Sequence, residues 1–181
     1  MKIIAICAID QEAVKFELPN AEIHFIQGGV GKTLSAFHLT KAICEIKPDM
    51  VINFGTAGTV KHNVDDIIVC NRFVDRDLRK VSIDCIQSEY QFEPIKGLPF
   101  LEKVKEYGTC NTGDSFVTEL ADLEGDVVDM EAFAEATVCH EMNIPFVSVK
   151  CVTDVIGQNS VKHWEDKLAD AREVLKAFFS L

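Results

Sequence analysis

The stretch Thr33-Leu34-Ser35-Ala36-Phe37-His38-Leu39-Thr40-Lys41-Ala42-Ile43-Cys44-Glu45-Ile46, running through Lys47-Pro48-Asp49 into Met50-Val51-Ile52-Asn53-Phe54, decides the fold class. Its first part places Leu34, Phe37, Ile43 and Ile46 near helical spacing, and it stops where the proline disfavours helix for the residue before it. Its second part is a short apolar run with β-branched residues, the pattern of a strand. A helix that feeds a strand directly is the repeating unit of an α/β fold.

The same alternation extends outward in both directions. Apolar runs recur at residues 3–9, 23–26, 67–69, 127–128 and 145–152. Residues 131–142 carry good helix formers with Phe133, Ala136, Val138 and Cys139 as the apolar set, and Asn143-Ile144-Pro145 ends them before the next strand. The last segment sets Val161, Trp164, Leu168, Ala171, Leu175 and Phe178 at three-and-four spacing, a long amphipathic helix in which Trp164 reads as packing. Residues 71–107 mix charge with Pro94, Gly97 and Pro99 and read as strands, loop and a short helix. No repeat or Pro/Gly/Ser-rich linker divides the chain, so residues 1–181 are expected to form one domain: a twisted mixed β-sheet flanked by helices.

Composition narrows the function classes. Eighteen Lys and Arg against 29 Asp and Glu give a net charge of -11, which repels nucleic-acid backbones and anionic membrane surfaces at long range. The apolar start is short, runs into Asp10 and Glu12 and lacks a secretory cleavage pattern. No apolar run approaches the roughly 20 residues of a membrane span, so a soluble protein is expected. The seven cysteines are odd in number and lack C-x-x-C spacing, as expected of reduced core residues in the cytoplasm. His24, His38, His62, His140 and His163 show no ligand spacing, so neither a metal nor a cofactor is expected.

Two glycine clusters draw attention. Gly28-Gly29-Val30-Gly31-Lys32-Thr33 ends like a phosphate-binding loop, but Ile26 stands where that motif requires its first glycine, and Leu34 stands where a dinucleotide fingerprint requires its third. What remains is a glycine turn between strand and helix, either a tight reversal or a place where backbone meets a small ligand. Gly55-Thr56-Ala57-Gly58 reads as a second small-residue turn at a strand end, with room for a flat ring; open α/β sheets bind ligands there. Glu12, Glu131 and Asp154 each lie just beyond an expected strand, so all three can meet at one sheet edge.

The strings around these residues, in chain order, are Met1-Lys2-Ile3 through Glu12, Val51-Ile52-Asn53-Phe54-Gly55-Thr56-Ala57-Gly58, Thr112-Gly113-Asp114-Ser115-Phe116, Asp129-Met130-Glu131-Ala132, and Asn143 through Thr153-Asp154. Together they resemble the nucleoside phosphorylase superfamily, and within it the bacterial 5′-methylthioadenosine/S-adenosylhomocysteine nucleosidases, from the first residues to about Ser160. The resemblance implies a homodimer that hydrolyses a purine nucleoside lying across the strand ends. Asp154, with Thr153 beside it, would protonate or hydrogen-bond purine N7, a role that a raised carboxyl pKa would favour. Glu131, preceded by Met130, would accept hydrogen bonds from the ribose hydroxyls and stabilise an oxocarbenium-like transition state. Glu12 would orient and deprotonate the attacking water, with Thr56 and Lys150 helping to hold it. Phe116 would stack on adenine and Val117 would offer backbone hydrogen bonds, while Val30, Ala57 and Gly58 complete the substrate-binding set.

Three features depart from that pattern. The chain is shorter than the family suggests, Lys150 stands where arginine is usual and cannot reproduce a guanidinium fork, and Glu17-Leu18-Pro19-Asn20 leaves little helix after Glu12. Rival functions are phosphorolysis on the same scaffold, hydrolysis of futalosine or 5′-deoxyadenosine, and nucleoside binding without catalysis. Phosphorylases recruit arginines near the first strand and near Gly55, where this chain has none.

Overall fold

A computed structural model describes the chain except Ser82, residues 120–122, Asn159 and Leu181, and except the side chains of residues 160–163. In chain order it forms β1 (Lys2–Cys7), β2 (Glu22–Gln27), α1 (Lys32–Ile46), β3 (Met50–Thr59), β4 (Ile67–Asp75), β5 (Glu89–Gln91), β6 (Gly108–Thr112), β7 (Val127–Asp129), α2 (Ala132–Glu141), β8 (Phe146–Val155) and α3 (Ser160–Phe179). A 3-10 turn forms at Asp10–Glu12, and within residues 71–107, read as strands, loop and a short helix, the described residues hold 3-10 turns at Leu78–Lys80 and Pro99–Leu101.

The sheet is mixed. β1 pairs in parallel with β2 and β3, and β3 pairs in parallel with β8. β8 lies antiparallel to β4, β4 runs parallel to β6, and β6 runs parallel to β7. The antiparallel contact Gly58↔Val128 joins β7 back to β3, so β3, β8, β4, β6 and β7 close into a ring. β3 therefore changes neighbour along its length. Its first half pairs with β1 as far as Asn53, and its far end pairs with β7 at Gly58. Between these points β1 and β7 diverge, which opens a crevice at a switch in strand order, the place where α/β sheets take ligands.

Alternation along the central strands feeds two cores. Ile3 and Ala5 of β1, Ile52 and Phe54 of β3 and Val147 and Val149 of β8 face α3, where Ala171, Leu175 and Phe179 are buried. Ile4, Ile6 and Val51 face the other way, onto Leu39, Ala42 and Ile43 of α1 and Phe133, Ala136 and Cys139 of α2. With both faces covered, these strands read as near-continuous apolar runs. Truncating Leu175 to alanine is expected to cost about 2–5 kcal/mol.

Several expectations need correction. Leu34 and Phe37 are 51% and 63% exposed, because α1 turns Ser35, Leu39, Ala42 and Ile43 inward instead. Cys44 and Cys85 are exposed, while the other five cysteines are buried and all seven are unpaired. In α3 the deepest aromatic is Phe179, stacked 4.0 Å from Phe16, with Phe178 only partly buried; the side chain of Val161 lies outside the described residues. No described helix is long and apolar enough to cross a membrane.

Candidate active site

The crevice is a cavity lined mostly by apolar groups, with Glu12, Asp129, Glu131 and Asp154 among its walls. The three carboxylates expected at one sheet edge are thus brought together. Glu12 arrives on the 3-10 turn after β1, Glu131 on the residue before α2, and Asp154 near the end of β8.

Gly55-Thr56-Ala57-Gly58 is not a turn. It continues β3, with a bulge between Ala57 and Gly58 in its pairing with β8. The small residues answer to the carboxylates pressed on them: a Cβ at Gly55 would lie 3.0 Å from Glu12 Oε2, and one at Gly58 would lie 2.9 Å from Asp154 Oδ2. Glycine lets each acid lie directly against the strand.

Glu12 is buried, and its Oε1 accepts from the Thr56 backbone N–H at 2.9 Å and from the Thr56 hydroxyl. Burial raises its pKa, and the Thr56 hydrogen bonds and the charge of Lys150 only partly offset this. Glu131 Oε1 accepts from the Gly31 N–H at 2.8 Å. Burial and the charge of Asp129 push its carboxyl up to about 8, against the pull of Lys150. Asp154 is 2% exposed and its Oδ1 accepts from the Thr153 hydroxyl at 3.1 Å.

The glycine turn resolves in favour of structure. Gly29 and Gly31 have φ of 83° and 87°, the left-handed region that favours glycine. The two amides at the head of α1 are already taken: Gly31 N–H by Glu131, and Lys32 N–H by Asp114 Oδ1 at 2.7 Å. Positions where a phosphate would sit at a helix start are filled by the protein's own carboxylates.

Val30, Met130, Phe116 and Val117 line the cavity beside Thr56, Ala57 and Gly58. Phe116 is 40% exposed, which excludes a core role. Lys150 and Thr153 stand behind the lining. Lys150 Nζ pairs with Asp129 Oδ2 at 2.9 Å, and although burial works against its charge, Asp129 and the surrounding acids hold its pKa above the ordinary lysine value. Asp129 in turn accepts from the Thr112 hydroxyl and caps α2 through the Ala132 N–H.

Four residues escaped the sequence reading. Trp164 is more than packing: it lines the cavity, meets Phe116 edge-on at 6.2 Å and donates its indole N–H to the Thr56 hydroxyl at 2.9 Å. Arg76 is buried and donates to the backbone carbonyls of Asn111 and Asp129 at 3.1 Å each, of Gly113 at 2.9 Å and of Ser115, which ties the Phe116 loop to β6 and β7. Asp129 holds Lys150. Glu135, fully buried in α2, accepts from the Ser35 hydroxyl at 2.5 Å through Oε1. Each of these contacts joins segments far apart in the chain, which sequence spacing does not signal. Burial, with Glu12 and other acids nearby, pushes the Cys7 thiol up to about 12, so it is no thiolate nucleophile at neutral pH.

A family model described as the phosphorylase superfamily matches residues 9–181. The chain belongs to that superfamily. Its relatives in the superfamily include the 5′-methylthioadenosine/S-adenosylhomocysteine nucleosidase of Bacillus velezensis, 31% identical over 77% of this chain and 71% of that protein. The enzyme of the same name from Bacillus subtilis is 30% identical over 86% of this chain and 78% of its own length. Among solved structures, the fold is similar to apo 5′-methylthioadenosine nucleosidase from Arabidopsis thaliana, at TM-score 0.84 and 20% identity over 98% of this chain and 92% of that one. It is also similar to futalosine hydrolase from Helicobacter pylori, at TM-score 0.81 and 19% identity over 98% and 94%. As a superfamily member the chain has the mixed sheet expected of it, here closed into a ring at Gly58 and Val128.

Proposed function

We propose that this chain is a purine nucleosidase that hydrolyses the N-glycosidic bond of a 5′-modified adenine nucleoside of the methylthioadenosine or adenosylhomocysteine kind. The observation that carries the reading is the placement of Glu12 and Asp154 in one mostly apolar cavity whose described walls hold no Lys, Arg or His. Two carboxyl groups can serve water attack and base departure there, and no cation lines the wall to receive a phosphate dianion.

In this scheme Glu12 takes a proton from water as the water oxygen attacks the anomeric carbon. The C–N bond breaks with its electron pair going to the base, and Asp154 donates to or hydrogen-bonds N7 of the departing adenine. Glu131 holds the ribose hydroxyls, Phe116 stacks on the base and Val117 bonds it through its backbone. Lys150 acts one step back, holding Asp129 and through it the head of α2. The occupied amides of Gly31 and Lys32 weigh further against phosphorolysis. The nucleosidases among its relatives support the substrate class.

The enzyme works in the cytoplasm as a homodimer. The unpaired cysteines support the first statement. An exposed stripe of Val30, Leu34 and Phe37 beside the cavity supports the second.

The test is base release from methylthioadenosine, adenosylhomocysteine, 5′-deoxyadenosine, futalosine, adenosine and inosine, with and without phosphate. Free adenine and free sugar formed without phosphate are expected from the first two. Sugar 1-phosphate formed only with phosphate would make the chain a phosphorylase, and release from futalosine alone would change the substrate.

A further inference from the structure

We propose that Trp164 is a positioning residue for the general base: its indole N–H fixes the Thr56 hydroxyl so that Glu12 is bonded twice at Oε1 and accepts the water proton on Oε2. The inference rests on the reading of Glu12 as the base.

The argument comes from which atoms are able to donate. An indole nitrogen is a donor only, whereas a hydroxyl has one hydrogen and accepts through its lone pairs. Trp164 Nε1 lies 2.9 Å from Thr56 Oγ1, so the hydroxyl oxygen is the acceptor of that bond. Its single hydrogen is then free to point at Glu12 Oε1, with which Thr56 Oγ1 also makes a hydrogen bond. Oε1 accepts as well from the Thr56 backbone N–H at 2.9 Å. Two donors aimed at one carboxylate oxygen make it the poorer proton acceptor. Among the described residues no donor reaches Oε2, which lies over Gly55, where a Cβ would come within 3.0 Å of it. During turnover the water proton passes to Oε2, the water oxygen bonds the anomeric carbon, and the purine leaves with the pair of the broken C–N bond.

Without the indole the Thr56 hydroxyl can rotate, and Oε1 loses a donor that stabilises the carboxylate form. Other charged or titratable groups act on Glu12 from each packed element: Cys7 from β1, Lys150 from β8, Asp129 from β7 and Glu131 at the head of α2. All of them remain when only the indole N–H is removed, and Trp164→Phe removes that group while keeping an aromatic ring against Phe116.

Trp164→Phe is expected to lower kcat about tenfold, the worth of the charge-assisted bond from the Thr56 hydroxyl to Glu12 that the indole holds in place, while KM stays within about threefold. The acid limb of the kcat profile should move up by about one pH unit. Thr56→Val should do the same, and the double variant should add little to either single one. Wild-type kcat and acid limb in Trp164→Phe would overturn the proposal and leave the indole as packing. A second readout needs no turnover. Trp164 is the single tryptophan of the chain, so its emission reports the surroundings of this indole alone. Emission that titrates in the wild type, and that no longer does so in Glu12→Gln, supports the coupling even if every nucleoside in the panel proves inert. Emission that is flat with pH in the wild type overturns it.

Discussion

Lys150 Nζ lies 2.9 Å from Asp129 Oδ2, and both side chains are almost wholly removed from solvent. Asp129 also accepts from Thr112 and caps α2 at Ala132, so the ion pair joins β8 to the helix that follows Glu131. Removing one partner strands the other charge in the interior. Lys150→Met is expected to cost about 3–5 kcal/mol in urea unfolding, and adding Asp129→Asn should recover much of that loss. A single-variant loss below about 1 kcal/mol would mean that solvent reaches the pair.

Glu12→Gln and Asp154→Asn are expected to lower kcat by about 10²- to 10⁴-fold each, the range of general acid–base catalysis. Neither should reduce the melting temperature. Gln at residue 12 removes a buried charge whose pKa burial already raises, so that variant should be as stable as the wild type or more so. Near-normal rates in either variant would remove that residue from the proposed chemistry.

The central strands were legible because β1, β3 and β8 bury both faces and so appear as unbroken apolar runs. Glu12 was legible because it follows such a run and Asp154 because it lies near the end of one, whereas Glu131 follows only the short β7. Other features depended on contacts between distant segments. Leu34 and Phe37 suggested the wrong face of α1, since the buried position next to them is Ser35, a polar residue kept inside by its bond to Glu135. Gly55-Thr56-Ala57-Gly58 reads as a turn by composition, yet its small residues serve the extended strand by making room for Glu12 and Asp154. Arg76 sits in a charged stretch that resembles a solvated loop, and only its carbonyl partners 35 to 53 positions away reveal it as buried.

Those carbonyl bonds lead to a prediction about binding. Arg76 fixes the loop that carries Phe116 and Val117, and a Cβ at Gly113 would come within 2.6 Å of its Nε. Arg76→Gln and Gly113→Ala should therefore loosen the same loop. Each is expected to raise KM roughly ten- to hundredfold, the loss of one or two charge-assisted hydrogen bonds, with a smaller effect on kcat. Steady-state kinetics on the preferred nucleoside would check this. Changed kcat with unchanged KM would detach the loop from substrate binding.

Glu135 gives the protein a pH-dependent stability that is separate from catalysis. Burial raises its carboxyl from 4.5 to about 7, only partly countered by the Ser35 hydroxyl, by Lys150 and by the Asn53 side chain. In the folded chain it holds a proton that the unfolded chain releases above about pH 4.5. Folded protein therefore binds more protons across this window, and stability falls as pH rises toward 7. The contribution is fully present below pH 4.5 and lost once the folded group ionises. Glu135→Gln cannot ionise, so its unfolding free energy should gain on that of the wild type between pH 5 and pH 8 by about 1–3 kcal/mol. Glu131, held up at about 8, adds a decline of the same sign that persists in the variant, so the difference between the two proteins isolates residue 135. Urea unfolding at pH 5, 6.5 and 8 measures it. A constant difference across the three pH values would mean that Glu135 ionises alike in the folded and unfolded chains.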